Sequence, residues 1–135
     1  MYLQFYINDN GDKVYTTKVN CDASINSNYQ RAGFGCVLRD DLENWIKGCN
    51  GLIPIPSVLR AELFAIWRGL LLVWECGFKD VICETDCLDA FLATRMMDLS
   101  RGDANRDLFS KIFEVIQWKW NAGIILKRLT EWRTC

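Results

Sequence analysis

Three acidic residues in this chain could do chemistry together: Asp22, Glu62 and Asp86. Glu62 is the most out of place. On a helix running from Ser57 to Cys76 at ~100° per residue, Arg60, Arg68 and Glu75 define a wet face, and Glu62 points roughly 150° away from its centre. Its neighbours on that wheel are Leu59, Ile66, Gly69 and Val73, the face that should lie on a sheet. A lone carboxylate there is costly without a cation, and no Lys or Arg shares the face. A metal ion would compensate it, with a capping-box role or a rim position as alternatives. Asp22 follows a strand over Lys13 to Cys21, on the side shared with Asn20, where a solvated turn residue would also fit. Asp86 stands where VICETD meets a second helix, a place that equally suits a helix N-cap. Glu84 shares its face but lies further inside the strand. If the first and fourth strands are neighbours, Asp22, Glu62 and Asp86 converge, and such a trio repels itself unless a hard divalent cation sits among the oxygens.

Other chemistries are excluded by composition. The 135 residues contain no histidine, which removes Ser-His-Asp and Cys-His nucleophile pairs, HExxH zinc proteases and mixed Cys/His zinc sites. Seven cysteines form no CxxC pair, and most lie in apolar runs such as VNCDAS and GFGCVL. They read as buried thiols of a reducing intracellular compartment, nucleus or cytoplasm, with no targeting signal at MYLQFYINDN. The longest apolar run, Gly69 to Trp74, is far short of the ~18 to 20 residues of a membrane span, so no membrane partner is expected. Net charge is −1, but residues 61–100 hold three basic against seven acidic side chains and residues 101–135 hold seven against four. An acidic cluster beside a basic segment suits a metal site next to a phosphate-binding surface, although ordinary solvated faces give the same counts.

The elements that would position these carboxylates follow from patterning. Strands are expected over Lys13–Cys21, Gly33–Leu38 and Trp45–Leu52, forming an antiparallel meander preceded by the turn-like Asn8 to Asp12. After Pro54 and Pro56, Ser57 is placed to cap a helix that ends at about Cys76 and is closed by Gly77. Val81-Ile82-Cys83 reads as a fourth strand. Helices over about Cys87–Leu99 and Asn105–Trp120 and a last strand over Ile124–Trp132 complete the order βββαβααβ. With 50% hydrophobic and 24% charged residues and no long linker, residues 1–135 read as one α/β domain.

The segments VNCDAS, AGFGCVLRD, NWIKGC, RAELFAIWRGL and VICETDC, in this order, resemble the ribonuclease H domain, most closely the reverse-transcriptase-like form abundant in plant genomes and linked to retroelements. The likeness is strongest over residues 18–92. It implies an RNase H-like fold, a five-stranded mixed sheet with helices on both faces. It further implies that Asp22, Glu62 and Asp86 ligate divalent metal, Mg²⁺ or Mn²⁺. The reaction implied is endonucleolytic hydrolysis of the RNA strand of an RNA/DNA hybrid by two metal ions, chemistry that requires no imidazole.

The chain departs from that pattern in four places. Ala23 stands where a Gly is usual and Cys87 where a Ser is usual. Thr130 falls where a loop His is common, and no N-x-x-A-D segment supplies a fourth carboxylate before Cys135. The expectation is therefore a C-terminally truncated domain with weakened hydrolysis. The alternative is a catalytically inactive, retroelement-derived nucleic-acid-binding domain, whose phosphate contacts would come from Arg101, Arg106, Lys111, Lys119, Lys127, Arg128 and Arg133. In a third reading, a protein-interaction module, the six Trp would be interface candidates.

Overall fold

A computed structural model describes residues 5–7, 10–15, 17–26, 31–53, 57–78, 80–95, 105–117 and 121–126. A small hairpin, β1 (Phe5–Ile7) with β2 (Lys13–Tyr15), stands apart from the main sheet. The main sheet is built from β3 (Thr17–Asn26), β4 (Arg31–Arg39), β5 (Trp45–Ile53), β6 (Asp80–Thr85) and β7 (Asn121–Leu126), in the order β5-β4-β3-β6-β7. The meander pairs β3-β4-β5 are antiparallel, whereas β6 joins β3, and β7 joins β6, in parallel. Helices α1 (Val58–Glu75), α2 (Leu88–Arg95) and α3 (Arg106–Gln117) complete the expected order of the sheet-forming part.

The first strand differs from the expectation at both ends. Residues 13–15 belong to the separate hairpin, and β3 runs on through Asn26, which pairs with Arg31. Asp22 therefore lies inside a strand, opposite Gly35, and not in a turn after it. Polar Asp22, Ser24 and Asn26 alternate onto the wetter side of β3, so the continuation lacks the apolar run that marks a strand in sequence. The Ser100 to Ala104 link, the end of the expected second helix, and residues 127–132 of the expected last strand lie outside the described residues.

Alternation along β4 puts Ala32, Phe34, Cys36 and Leu38 in the core, where they meet Val19 and Cys21 of β3. Helix α1 lies on this face with Leu63, Ile66, Leu70 and Val73 fully buried, and Ala90 of α2 and Leu108 and Ile112 of α3 extend the same apolar cluster. Ser57 occupies the N-cap position of α1 with its carbonyl accepting the Ala61 N–H at 2.8 Å, but its side chain makes no capping hydrogen bond. At the other end Gly77, at φ +81°, lets the chain reverse while the Phe78 N–H reaches the Val73 carbonyl at 3.3 Å. None of the described helices is long and apolar enough to cross a membrane.

Two contacts seat α1. At Gly69 the helix backbone comes so close to β3 that an added Cβ would collide with Cys21 Sγ and come within 3.3 Å of Val19 Cγ2 and 3.4 Å of Cys36 Sγ. The thiols act here as small packing groups. Hydrogen bonds with the Cys36 and Cys83 thiols, together with burial, push the Cys21 thiol well above its ordinary range, so it stays neutral. Cys21, Cys36, Cys49, Cys76 and Cys83 are free thiols. The second contact ties the start of α1 to α3. Arg60 donates to Asp107 through both terminal nitrogens, at 2.9 and 2.7 Å.

Gly69→Ala is expected to destabilise the chain by about 1–2 kcal/mol, because overpacking outweighs the better helix propensity of alanine. Adding Cys21→Ala should recover most of that loss, as read from urea denaturation midpoints. The Arg60 guanidinium holds the Asp107 carboxyl down at about 2. Since that is below the unfolded value of about 3.9, the ion pair's contribution is present above about pH 4 and is lost as pH falls toward 2. The pair is half-exposed on the Asp107 side, so the difference between the parent chain and Asp107→Asn should stay below about 1 kcal/mol and vanish at the acid end of a stability titration.

Candidate metal centre

The pairing of β3 with β6 ends at Cys21 opposite Thr85, whereas β3 continues along β4 to Asn26. Asp22 is thus the first residue of β3 to leave the shelter of β6, and Asp86 is the first residue after β6 ends. The opening lies at the carboxyl end of a parallel strand pair, next to the point where the sheet turns antiparallel. In α/β folds this is where ligand sites form, because strand ends and helix starts meet there without their backbones competing for the space.

Glu62 reaches the same opening from the second turn of α1. Asp22, Glu62 and Asp86 each offer an oxygen, and the three atoms lie within 4.8 Å of one another. The trio joins an exposed, a buried and a half-buried residue, with Glu62 only 4% exposed. The wheel position of Glu62 is the one expected: Ile66, Gly69 and Val73 on its stripe are all buried. The donors are hard, anionic and oxygen-only, and three carboxylates this close repel one another. This set fits a divalent cation such as Mg²⁺ or Mn²⁺ and offers nothing to a soft one.

Local hydrogen bonds orient Asp22 and shape the turn that carries Asp86. Asp22 Oδ1 accepts the N–H of Ala23 at 2.9 Å, which orients the side chain at the strand edge. The role of helix N-cap, the alternative weighed for Asp86, belongs instead to Cys87, whose Sγ accepts the Ala90 N–H at 3.3 Å. Thr85, buried at 1%, accepts the Cys87 N–H on its hydroxyl at 3.2 Å and shapes the turn that presents Asp86. Sequence reasoning did not single out Thr85. Its signal is weak, a lone hydroxyl between two acids.

A buried charge network, likewise unread in the sequence apart from the facing of Asn20 and Glu84, lies directly behind the trio. Lys18 Nζ is 3.5 Å from Glu84 Oε2 and 3.6 Å from Glu43 Oε1, and Asn20 Nδ2 donates to Glu84 Oε1 at 3.1 Å. In front, a concavity of about 280 Å³ lined by Asp22, Ala23, Ser24, Gly33, Phe34 and Gly35 runs beside the trio. Gly35, opposite Asp22, would meet nothing within 4 Å if it carried a Cβ, so the space at Asp22 is open.

Residues 20–125 match the family described as reverse transcriptase-like. A segment of 83 residues is 35% identical to a protein of Arabidopsis thaliana named for ribonuclease H; it is 60% of this chain but 13% of that relative, so the chain spans only a small part of it. Among solved structures, RNase H1 from the halophilic archaeon Halobacterium salinarum NRC-1 superimposes with a TM-score of 0.72 at 18% identity, over 82% of this chain and 84% of that one. LC11-RNase H1, solved in complex with an RNA/DNA hybrid, gives 0.70 at 16% identity, over 82% and 84%. Likeness at such identity establishes the fold, which is RNase H-like. The family match covers the strand that carries Asp22, the helix that carries Glu62 and the turn after β6 that carries Asp86, and the chain therefore belongs to the reverse transcriptase-like family.

Proposed function

We propose that this chain is an RNase H-type endoribonuclease that hydrolyses the RNA strand of an RNA/DNA hybrid. The carrying observation is the convergence of Asp22, Glu62 and Asp86 within 4.8 Å at the open end of the β3-β6 pair. Bound to these oxygens, divalent cations, two Mg²⁺ or Mn²⁺ in this reading, would activate a water and offset charge at the leaving 3′ oxygen. The chain itself supplies the rest. Buried Glu62 anchors the site against the core, while Asp22 on β3 and Asp86 just past the end of β6 flank the opening. The concavity beside Asp22, which Gly33 and Gly35 help to line, would admit a sugar-phosphate backbone. With no imidazole in the chain, proton transfer falls to water and carboxylates. Recognition by backbone shape and 2′-hydroxyls fits a site without a base-reading element. The hybrid-bound neighbour and the ribonuclease H name of the plant relative support the same substrate class.

Cleavage of an end-labelled RNA/DNA hybrid in Mg²⁺ or Mn²⁺ is the test. Asp86→Asn and Glu62→Gln should each lower the rate by about 100-fold or more, since loss of a mere supporting contact around a metal already costs about 10- to 100-fold. Equal cleavage by the parent chain and Asp86→Asn would sink the reading. Hybrid binding with no cleavage in any buffer would favour a nucleic-acid-binding domain instead.

A further inference from the structure

The Lys18-Glu84-Asn20 network sits two residues behind the site on both strands that build it. Lys18, Asn20 and Asp22 share one side of β3, and Glu84, paired with Asn20, precedes Asp86 on β6. Lys18 and Glu84 are 8% and 7% exposed. Burying two charges here is expensive, and apolar residues of similar size would hold two strands together at least as well. The network also reaches the β4-β5 turn, where Glu43 adopts φ +65°, a left-handed conformation unfavourable for a residue with a side chain. That turn is locked by Asp40, whose Oδ1 accepts the Leu42 and Asn44 N–H groups at 3.0 and 2.8 Å, and it sends the Glu43 carboxylate to Lys18.

We propose that Glu84 and Lys18 set the charge of the metal site: Glu84 adds a negative charge behind the three donor carboxylates, and Lys18 limits how much of it the site feels. Both are positioning residues, acting through the field at the donor oxygens. At a rise of ~3.3 Å per residue, two residues place Glu84 about 7 Å behind Asp86. A buried charge at that range acts strongly on a divalent ion. Asn20 holds one oxygen of Glu84 and Lys18 approaches the other, which keeps that carboxylate out of direct coordination. This inference rests on the metal-site reading above.

The test is Mn²⁺ binding to the full chain without nucleic acid, followed by the electron paramagnetic resonance of the free ion, with urea denaturation reporting the fold. Glu84→Gln should weaken Mn²⁺ binding about three- to tenfold and Lys18→Met should tighten it by a similar factor. The double variant, which removes both charges and leaves neither buried alone, should return close to the parent affinity even if Lys18→Met proves too unstable to measure. A merely structural role predicts weaker binding in both single variants and the weakest in the double. That pattern, or no change while Asp86→Asn abolishes binding, would overturn the inference and leave the metal site standing. Mn²⁺ binding unaffected by Asp86→Asn would overturn both.

Discussion

The seating of α1 on β3 is the contact on which the site depends. A carboxylate can be held inside a protein only if the element carrying it cannot drift, and α1 is held at Gly69, where the missing side chain lets the helix backbone rest on Cys21 and Val19. Glu62 lies seven residues earlier on the same stripe, two helical turns or ~10.5 Å along the axis. Its depth and direction are therefore set by the packing at Gly69. Cys21, the residue struck by any added Cβ, is next in sequence to Asp22. Core packing and the acidic site are thus neighbours along both the helix and the strand.

The small sulfur-bearing residues of the core make sense in the same terms. Cys21 faces Cys36 across β3-β4 and Cys36 faces Cys49 across β4-β5, while Cys21 Sγ touches Cys83 Sγ at 3.5 Å. A close helix requires shallow side chains beneath it, and thiols are shallow, apolar and polarizable. Larger residues would lift α1 away from the sheet and carry Glu62 with it.

The end of β6 is the second determinant. Because the β3-β6 ladder stops at Cys21-Thr85 while β3 continues against β4, the sheet opens on one side just where Asp22 emerges. Thr85 and Cys87 take up the backbone groups at the turn, one as hydrogen-bond acceptor and the other as helix cap, which leaves Asp86 to face the opening. The buried Lys18-Glu84 pair behind it concentrates opposing charges near one strand pair, an arrangement costly for a purely structural purpose.

Much of this was legible in the residues alone. Helical periodicity showed that Glu62 is on the wrong face, because a wheel needs only the 3.6-residue repeat and the polarity of its neighbours. The order of strands and helices, the closure of α1 at Gly77 and the three carboxylates followed from local patterning and from the resemblance to ribonuclease H. The extent of β3 was not legible, since Asp22, Ser24 and Asn26 carry no apolar run and their strand conformation comes from hydrogen bonds to β4. Nor was the hydrogen bond by which Cys87 takes the cap position of α2. The Lys18 network was equally hidden, because Lys18, Glu43 and Glu84 are far apart in the chain and meet only through the parallel pairing of β3 with β6 and a turn from the other side of the sheet. Periodicity tells which face of an element is buried. Only the tertiary arrangement decides which charges meet there, because contacts between distant segments depend on which strands become neighbours, and that is settled by the packing of the whole domain.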